Sequence, residues 1–578
     1  MISKKQSLSE KSTPLTPIRL WPGVAILLLQ WFVRFGIPII IPGAFSFGVL
    51  GGVAGGLVIV VWWAFFSRAP GIERWSAILL MIIGLVATSQ IIDVSIATAG
   101  RGMFFTIYAI PVLSLAFIIW AVVSRRFSVK LRRITMVLTI LIACGVWTVL
   151  RIDGITGDEG ANFSWRWAET SEERLLAQEK NKTATPITTI NASEKETNWL
   201  GFRGSNRDGI VNGVQIETDW SNSPPLELWR HPIGPGCSSF AVRGDLIYTQ
   251  EQRGNDEIVS CYNLTTGEPV WQHRDAARFY DSHAGAGPRS TPTISGENIC
   301  TLGATGILNL LNAGDGTLIW SQNIAIDNET KHSGWGITSS PLIVDSVVII
   351  AAVGKLVSYD LATGDPRWFG NDGGDSYSSP HLKIIDGKRQ ILLMSGNGII
   401  SIEPISGKQI WEYKYPCESR ILQPAFISDN DIMVNAGGKK GIRRISVTHE
   451  SDQWKIEELW TSTRMRPDFN DFVVHKGHVF GFDGPSLACI DIDKGERKWK
   501  GGRYGGQLIL LADQDLLLVL SEKGELVLVE ANPNKYSELA HLRAIEGRTW
   551  NHPVLVGDIL LVRNTSEMVA YKLALRES

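Results

Sequence analysis

"LVSYDLATGDPRW", residues 356–368, has four close copies elsewhere in the chain. They read "VSCYNLTTGEPVW" (259–271), "LNLLNAGDGTLIW" (308–320), "IISIEPISGKQIW" (399–411) and "LACIDIDKGERKW" (487–499). Each copy has an apolar-alternating stretch, an acidic or amide residue, a glycine four positions later and a tryptophan four positions after that. This order predicts a strand, a tight turn and a second strand.

The positions that recur in all five copies of the phrase have structural explanations. Glycine supplies the positive φ of a tight turn, and an Asp or Asn side chain bonds the turn backbone two residues on. Tryptophan offers a large flat apolar surface, which predicts a wedge between neighbouring sheets. The predicted docking residues are the glycines Gly267, Gly316, Gly364, Gly407 and Gly495 and the tryptophans Trp271, Trp320, Trp368, Trp411 and Trp499.

The spacing of the copies predicts the architecture. The period of 43–49 residues has one gap, which the variant stretch around Trp460 fills. A period of this length with four strands per unit is typical of a propeller blade. Eight apolar strands recur between "DLIYTQE" and "DILLVRN", and the last unit lacks its outer strand. The segment "LELWRHP" (226–232) supplies it, with Trp229 in the tryptophan role. We therefore predict an eight-bladed β-propeller over 199–578, closed by pairing early and late chain.

The first 150 residues have a different composition. They hold 13 Lys or Arg and only three acids, whereas the remainder holds 43 basic and 55 acidic residues. An acidic second part without a basic stripe argues against nucleic-acid binding. Apolar segments long enough to cross a bilayer predict about five transmembrane helices within 20–150. They cover about 20–41, 44–66, 75–92, 103–123 and 134–150.

The loop charges predict the orientation of this anchor. Lys and Arg cluster at the N-terminus, around 68–74 and in "SRRFSVKLRR" (124–133), while the alternate loops are poor in them. The positive-inside rule then places residues 1–19 in the cytoplasm, and five crossings place everything after Leu150 outside. If the segment containing Arg34 does not span, that result reverses. Residues 151–198 read as a polar linker with a short helix beginning at Thr170 or Ser171.

Sequence motifs for catalysis or metal binding are absent. The six cysteines are scattered without CxxC or adjacent pairs, which predicts mostly buried free thiols. No GxSxG or HExxH occurs, so we predict no catalytic residue and no metal ligand from motifs. Arg34 and Asp93 are the candidate charges inside the anchor, which we read as an anchor rather than a transporter.

The D-x-x-T-G-x-x-x-W phrase resembles the tryptophan-docking motif of quinoprotein (PQQ) repeats. The resemblance covers roughly 226–575, and "WLGFRGSNRDG" (199–209) also resembles the start of such propellers in bacterial membrane-anchored proteins. The motif is shared by PQQ-dependent alcohol dehydrogenases and by non-enzymatic BamB-like outer-membrane assembly lipoproteins. It therefore implies an architecture, and function must be argued from a site.

The links between blades predict where a site lies. In a propeller, the link from each outer strand to the next inner strand lies around one mouth of the channel. Three alternatives remain open for this mouth: a small-molecule site, a protein-binding face, or a polar lining of the channel. The candidate ligand-binding residues are Arg289, Trp335, Tyr377, Arg420, Asn470, Asp471, Trp550, Asn551 and His552, and His283, His381 and Tyr504 lie on the same links.

Two functions follow from these observations. The first is a non-catalytic, membrane-anchored binding or scaffold module with a protein or small-molecule partner at the propeller face. The alternative is a PQQ- and calcium-dependent dehydrogenase, which the resemblance implies. Asn470, Asp471 and Asn551 would then offer oxygens to calcium, and Trp335 or Trp550 would stack on the quinone. The sequence lacks the adjacent cysteines and the haem motif found in many such enzymes.

Overall fold

A computed structural model describes residues 19–41, 44–155, 161–180, 198–328, 334–417 and 421–576. The described residues up to Ala168 form one compact unit, and those from Glu169 onward form another. The first unit is mainly helical and the second is built of β-sheets.

The helical unit contains the predicted apolar segments. Four of its helices are long and apolar enough to cross a membrane, counting the described residues only. A fifth, Val129–Gly145, has 17 residues, so the unit agrees with an anchor of about five helices. The four candidate spans are Trp21–Ile40, Phe47–Phe66, Gly71–Ser89 and Phe104–Arg126, and the short helix Val94–Thr98 lies between the third and the fourth.

Small residues let the first helices approach closely. A Cβ placed on Gly51 would lie 2.3 Å from Val33, so the second span packs directly on the first. Arg34 is buried beside the ring of Tyr108, with its guanidinium carbon 4.8 Å from the ring centroid. Asp93 caps the helix Val94–Thr98 and accepts a hydrogen bond from the backbone N–H of Ser95 at 2.9 Å.

The segment predicted as a linker contains regular structure at its beginning. A hairpin pairs Leu150–Ile155 with Ala161–Trp165. The predicted short helix is confirmed as Ser171–Lys180. Thr170 and Glu173 form a capping box at its start, because the side chain of each accepts a hydrogen bond from the backbone N–H of the other. Residues 181–197 lie outside the described part.

The second unit is the predicted propeller. Eight sheets of its described residues are successive blades, each built on four antiparallel strands, and two of these sheets have a fifth strand. From the innermost strand outward, blade 1 comprises Ala241–Arg243, Leu246–Arg253, Asp256–Asn263 and Pro269–Asp275; blade 2 Thr293–Ser295, Asn298–Leu302, Ile307–Asn312 and Leu318–Asn323; blade 3 Leu342–Val344, Val347–Ala352, Lys355–Asp360 and Pro366–Asp372; and blade 4 His381–Ile385, Lys388–Ser395, Gly398–Ile402 and Gln409–Lys414.

The remaining four blades complete the ring. Blade 5 comprises Ala425–Phe426, Asp431–Asn435, Ile442–Glu450 and Gln453–Ser462; blade 6 Val473–His475, His478–Asp483, Ser486–Asp491 and Arg497–Arg503; blade 7 Gln507–Leu511, Leu516–Leu520, Glu525–Glu530 and Glu538–Arg543; and blade 8 Val554–Val556, Ile559–Arg563, Glu567–Lys572 and Leu226–Pro232. Blade 8 thus takes its outer strand from the early chain, as predicted, and Trp229 pairs with Ala570.

The tryptophans join each blade to the next. The indole N–H of Trp271 donates to the carbonyl of Ala313 in blade 2 at 3.0 Å. A Cβ on Gly316 would lie 2.4 Å from the same ring, so only glycine lets the indole lie flat on the turn. The same pair of contacts recurs for Trp229 on Gly267, Trp320 on Gly364, Trp368 on Gly407 and Trp460 on Gly495. Trp499 donates to the carbonyl of Asn532, where blade 7 has no glycine.

The seam between blades 4 and 5 departs from this pattern. Trp411, predicted to dock on the next blade, is buried in one hydrophobic cluster with residues of blades 4 and 5, but its indole N–H donates to Gln390 Oε1 of its own blade at 2.7 Å. The reason is that blade 5 turns at Ser451–Asp452, the end of a long two-stranded ribbon, and so lacks the glycine turn. The ribbon closes the seam itself, because the hydroxyl of Tyr413 donates to Glu458 at 2.8 Å.

Candidate functional site

The links between blades meet over one end of the channel. The ring of Trp335, before blade 3, lies 5.9 Å from the ring of Trp550, before blade 8. Trp335 also contacts His283 at 5.4 Å and Tyr377 at 6.5 Å, and Trp550 contacts Phe469 at 5.5 Å. Rings from five links therefore form one group at the channel mouth, which we call the aromatic cluster: His283, Trp335, Tyr377, Phe469 and Trp550.

Charged side chains hold the aromatic cluster in place. The Arg548 guanidinium carbon lies 4.1 Å from the centroid of Trp550, and Arg548 Nη1 donates to the carbonyl of His283 at 2.8 Å. The indole N–H of Trp550 donates to Glu522 Oε1 at 2.7 Å. Burial lowers the pKa of Arg548. The cluster is thus fixed by its own neighbours before any partner arrives.

Arg289 stabilises a hairpin beside the mouth. Its Nη2 donates to Asp281 Oδ2 at 2.5 Å and to the carbonyl of Gly285 at 2.6 Å, and its Nη1 donates to the carbonyl of Ala286 at 3.2 Å. These residues belong to the hairpin Tyr280–Asp281 and Gly285–Ala286. Arg289 is buried and its contacts are internal.

The channel below the mouth contains part of the chain itself. Residues 198–211, which we call the plug segment, begin in a strand paired with blade 1 and end in a strand paired with blade 7. Between these strands, Arg203 and Arg207 both have a φ of +58° and are buried. Arg207 Nη1 donates to the carbonyls of Ser340 at 3.2 Å and Pro380 at 2.9 Å. The plug segment thus ties together blades on opposite sides of the ring.

A buried acidic group faces the plug segment. Asp471 Oδ2 lies 3.6 Å from Arg203 Nε and 3.2 Å from His552 Nε2, and Asp471 Oδ1 accepts from the backbone N–H of Gln423 at 2.9 Å. Burial alone would raise the pKa of Asp471, but the charge of Arg203 and the contact with His552 outweigh it, and the pKa falls to about 2. Burial lowers the pKa of His552.

His381 lies in the same buried layer. Its Nε2 lies 3.0 Å from Gln423 Oε1, which can only accept, so the neutral ring carries its proton on Nε2. Burial, together with the charges of Arg207 and Arg203, lowers the pKa of His381 to about 3. The layer therefore contains neutral histidines and one carboxylate neutralised by arginine.

The other predicted residues bind neighbouring backbone. Asn470 Nδ2 donates to the carbonyl of Gly506 at 2.5 Å, and Asn551 Nδ2 donates to the carbonyl of Ser238 at 2.7 Å. The hydroxyl of Tyr504 contacts Tyr536, away from the mouth. Arg420 lies outside the described residues.

Several residues that shape this region were not predicted as site residues. They are Arg203 and Arg207 of the plug segment, Gln423, Phe469 and Arg548. The plug arginines stand in a stretch that the sequence marks as the start of the propeller, but nothing in the sequence places it inside the channel. Phe469 and Arg548 lie on predicted mouth links and could have been included on that basis.

Some of the residues suggested for PQQ and calcium are already engaged in internal contacts. Asp471, one of the three suggested calcium ligands, already binds Arg203 and a backbone N–H. The rings of Trp335 and Trp550 are inclined at 45° with centroids 5.9 Å apart, so a planar ring does not fit between them and would stack on the other face of one of them. Across the described ranges, no group of three His, Cys, Asp or Glu side chains is arranged to hold a metal ion.

The fold and the repeated tryptophan–glycine contacts define a class of protein, the β-propellers built from PQQ-type repeats. Within that class, the chain belongs to the family described as outer membrane protein assembly factor BamB, whose profile matches residues 218–383 and 378–574. This membership covers the propeller.

Individual relatives are distant. The chain is 21% identical to BamB of Shewanella oneidensis over 373 residues, which covers 60% of this chain and 88% of that protein. It is also similar to the crystal structure of BamB from Moraxella catarrhalis, at 14% identity and a TM-score of 0.45 over 61% of this chain and 99% of that one. It is also similar to the crystal structure of quinohemoprotein alcohol dehydrogenase from Comamonas testosteroni, at 13% identity and a TM-score of 0.44, over 71% of this chain and 85% of that one.

Proposed function

We propose that this protein is a membrane-anchored binding module whose propeller holds a partner protein at the aromatic cluster, without catalysing a reaction. The observation that carries the proposal is the state of the channel. The plug segment pairs with blades 1 and 7, and its arginines donate to carbonyls of Phe472 and Pro380 across the channel. The rings of the aromatic cluster contact each other at the mouth. The mouth therefore offers a surface of fixed side chains rather than a cavity for a small molecule.

The composition of that surface suits a protein. Tryptophan, tyrosine and arginine are the residues most enriched at the energetic centres of protein interfaces. Trp335, Phe469 and Trp550 are half-buried, so each retains surface that a partner can cover. Their positions are set by internal contacts, so binding loses little side-chain freedom.

The anchor and the relatives support an envelope location. The Lys and Arg distribution favours a cytoplasmic N-terminus with five crossings, which puts the propeller outside the cytoplasm of a bacterial inner membrane. The relatives are described as outer membrane protein assembly factors. A partner that is itself a protein of the cell envelope is consistent with that description. Among the described mouth residues, the contacts of Asp471 and the inclined rings of Trp335 and Trp550 do not favour the alternative, a PQQ-dependent dehydrogenase.

Photo-crosslinking in intact cells tests the proposal. A photoreactive residue at position 335 or 469 should give discrete, reproducible protein adducts. The matched controls are Asp386 and Asp429, which are exposed in the turns between the first and second strands of blades 4 and 5, on the opposite face. Equal labelling from both faces, or labelling from the control positions alone, would show that the mouth is not the binding surface.

A further inference from the structure

The seam between blades 5 and 6 contains a polar groove. Residues 461–464 at the end of blade 5 and 494–497 at the turn of blade 6 line a cavity of about 590 Å³. Three of the lining residues, Arg464, Lys494 and Arg497, are basic, and one, Glu496, is acidic. The lining therefore has an excess of positive charge.

The other seams act as internal controls for this charge. Arg464 stands four residues after its docking tryptophan, and Lys494 and Arg497 stand one before and two after the turn glycine. In the four other seams with the same tryptophan–glycine contact, no residue at any of these positions is Lys or Arg. The seam between blades 1 and 2, for example, has Asp275, Asp315 and Leu318. Docking the blades therefore does not require the three cations.

One wall of the groove is rigid. The buried carboxylate of Asp483 accepts from three cations, Arg466 Nε at 2.9 Å, Arg497 Nη2 at 2.5 Å and Lys500 Nζ at 2.8 Å. Arg497 Nε also donates to the carbonyl of Arg464 at 3.0 Å. Because three cations share one carboxylate, this wall retains a net positive charge. The guanidinium of Arg497 is held in a fixed orientation by Asp483 and by the carbonyl of Arg464.

The opposite side of the groove has available donors. Within the described part of the chain, the side chains of Arg464 and Lys494 make no hydrogen bond or ion pair. The hydroxyl of Thr463 belongs to the same lining, whereas the hydroxyl of Ser462 donates to the carbonyl of Gly495 at 2.6 Å. Asp493, the acid next to Lys494 in sequence, lies 3.3 Å from Arg444 and so is directed to another cation.

We infer that this groove binds a phosphate group. A fixed guanidinium, two uncommitted cations and the neighbouring hydroxyl of Thr463 are the donors that a phosphate takes, because they supply both charge and directed hydrogen bonds. The phosphate belongs either to a lipid headgroup or to a soluble phosphorylated molecule. None of its lining residues belongs to the aromatic cluster.

Calorimetric titration of the full-length chain in nonionic detergent tests the inference. The probes are inorganic pyrophosphate and monomeric dihexanoyl phosphatidic acid, in phosphate-free buffer. The groove variant is Arg464→Gln with Lys494→Thr, and threonine is the residue at the Lys494 position in two other seams. The control is Arg389→Gln with Lys455→Thr, which removes the same charge from exposed positions on blades 4 and 5.

The groove variant should bind both probes at least about tenfold more weakly than the wild type, and the control should stay within about twofold. A headgroup source predicts tighter binding of the phosphatidic acid, and a soluble source predicts equal or tighter binding of pyrophosphate. Absence of binding to the wild type, or equal loss in the groove and control variants, would overturn the inference.

Discussion

Replacing Arg207 with methionine should lower the free energy of unfolding of the propeller by about 3–5 kcal/mol. Arg207 is buried and donates to backbone carbonyls of blades 3 and 4. Methionine can occupy the space of the aliphatic part of arginine but has no donor, so these buried carbonyls would lose their partners. Burial lowers the pKa of Arg207 to about 9, so it is still charged at pH 7. Guanidinium unfolding of the full-length chain, followed by tryptophan fluorescence, measures the change.

Arg543 provides the matched control. Its side chain is 66% exposed and pairs with the equally exposed Glu546, so Arg543→Met should change the unfolding free energy by less than about 0.5 kcal/mol. If Arg207→Met also falls within that range, the plug segment does not tie the blades together as described.

The second large effect is a loss of folding stability at acidic pH, which arises from His381. The pKa of this buried ring is about 3 in the folded chain and ordinarily about 6.5. Below pH 6.5, His381 is therefore protonated in the unfolded chain but stays neutral in the folded chain. Stability should fall as the pH drops from about 6.5 towards about 3, by about 1.4 kcal/mol for each pH unit.

His381→Gln isolates this contribution. Glutamine keeps a donor for Gln423 and does not titrate, so the variant should lose less stability than the wild type between pH 6.5 and 4.5, by about 2–3 kcal/mol. Asp471 stays ionised over this window in both proteins because its pKa is about 2. Parallel stability curves for the two proteins would mean that His381 accepts its proton in the folded state.

The architecture was predictable because it repeats. One tryptophan–glycine phrase indicated the strands, the turn, the period and the wedge between blades, and the displaced "LELWRHP" indicated the closure. Trp411 shows the limit of this reasoning. Its own phrase is regular, but docking depends on the turn of the next blade, where Ser451–Asp452 replaces the glycine turn. A contact between two elements cannot be inferred from one of them.

The location of the channel mouth was predictable from the sequence, but the packing of its side chains was not. Link residues converge there because of the topology, yet whether they enclose a cavity depends on side-chain packing across the ring. The contact between Trp335 and Trp550 joins residues 215 positions apart by their numbers, and no local pattern specifies it. The position of the plug segment was not predictable for the same reason, because its arginines donate to carbonyls of blades that are distant in sequence.

Titration of PQQ with calcium into the full-length chain, followed by tryptophan fluorescence, tests most directly whether this propeller is a binding module rather than a quinoprotein. The plug segment and the contacting rings predict no saturable, calcium-dependent quenching. Saturable quenching that needs calcium, and that disappears in Trp335→Ala and Trp550→Ala, would contradict the account and establish a cofactor site at the mouth.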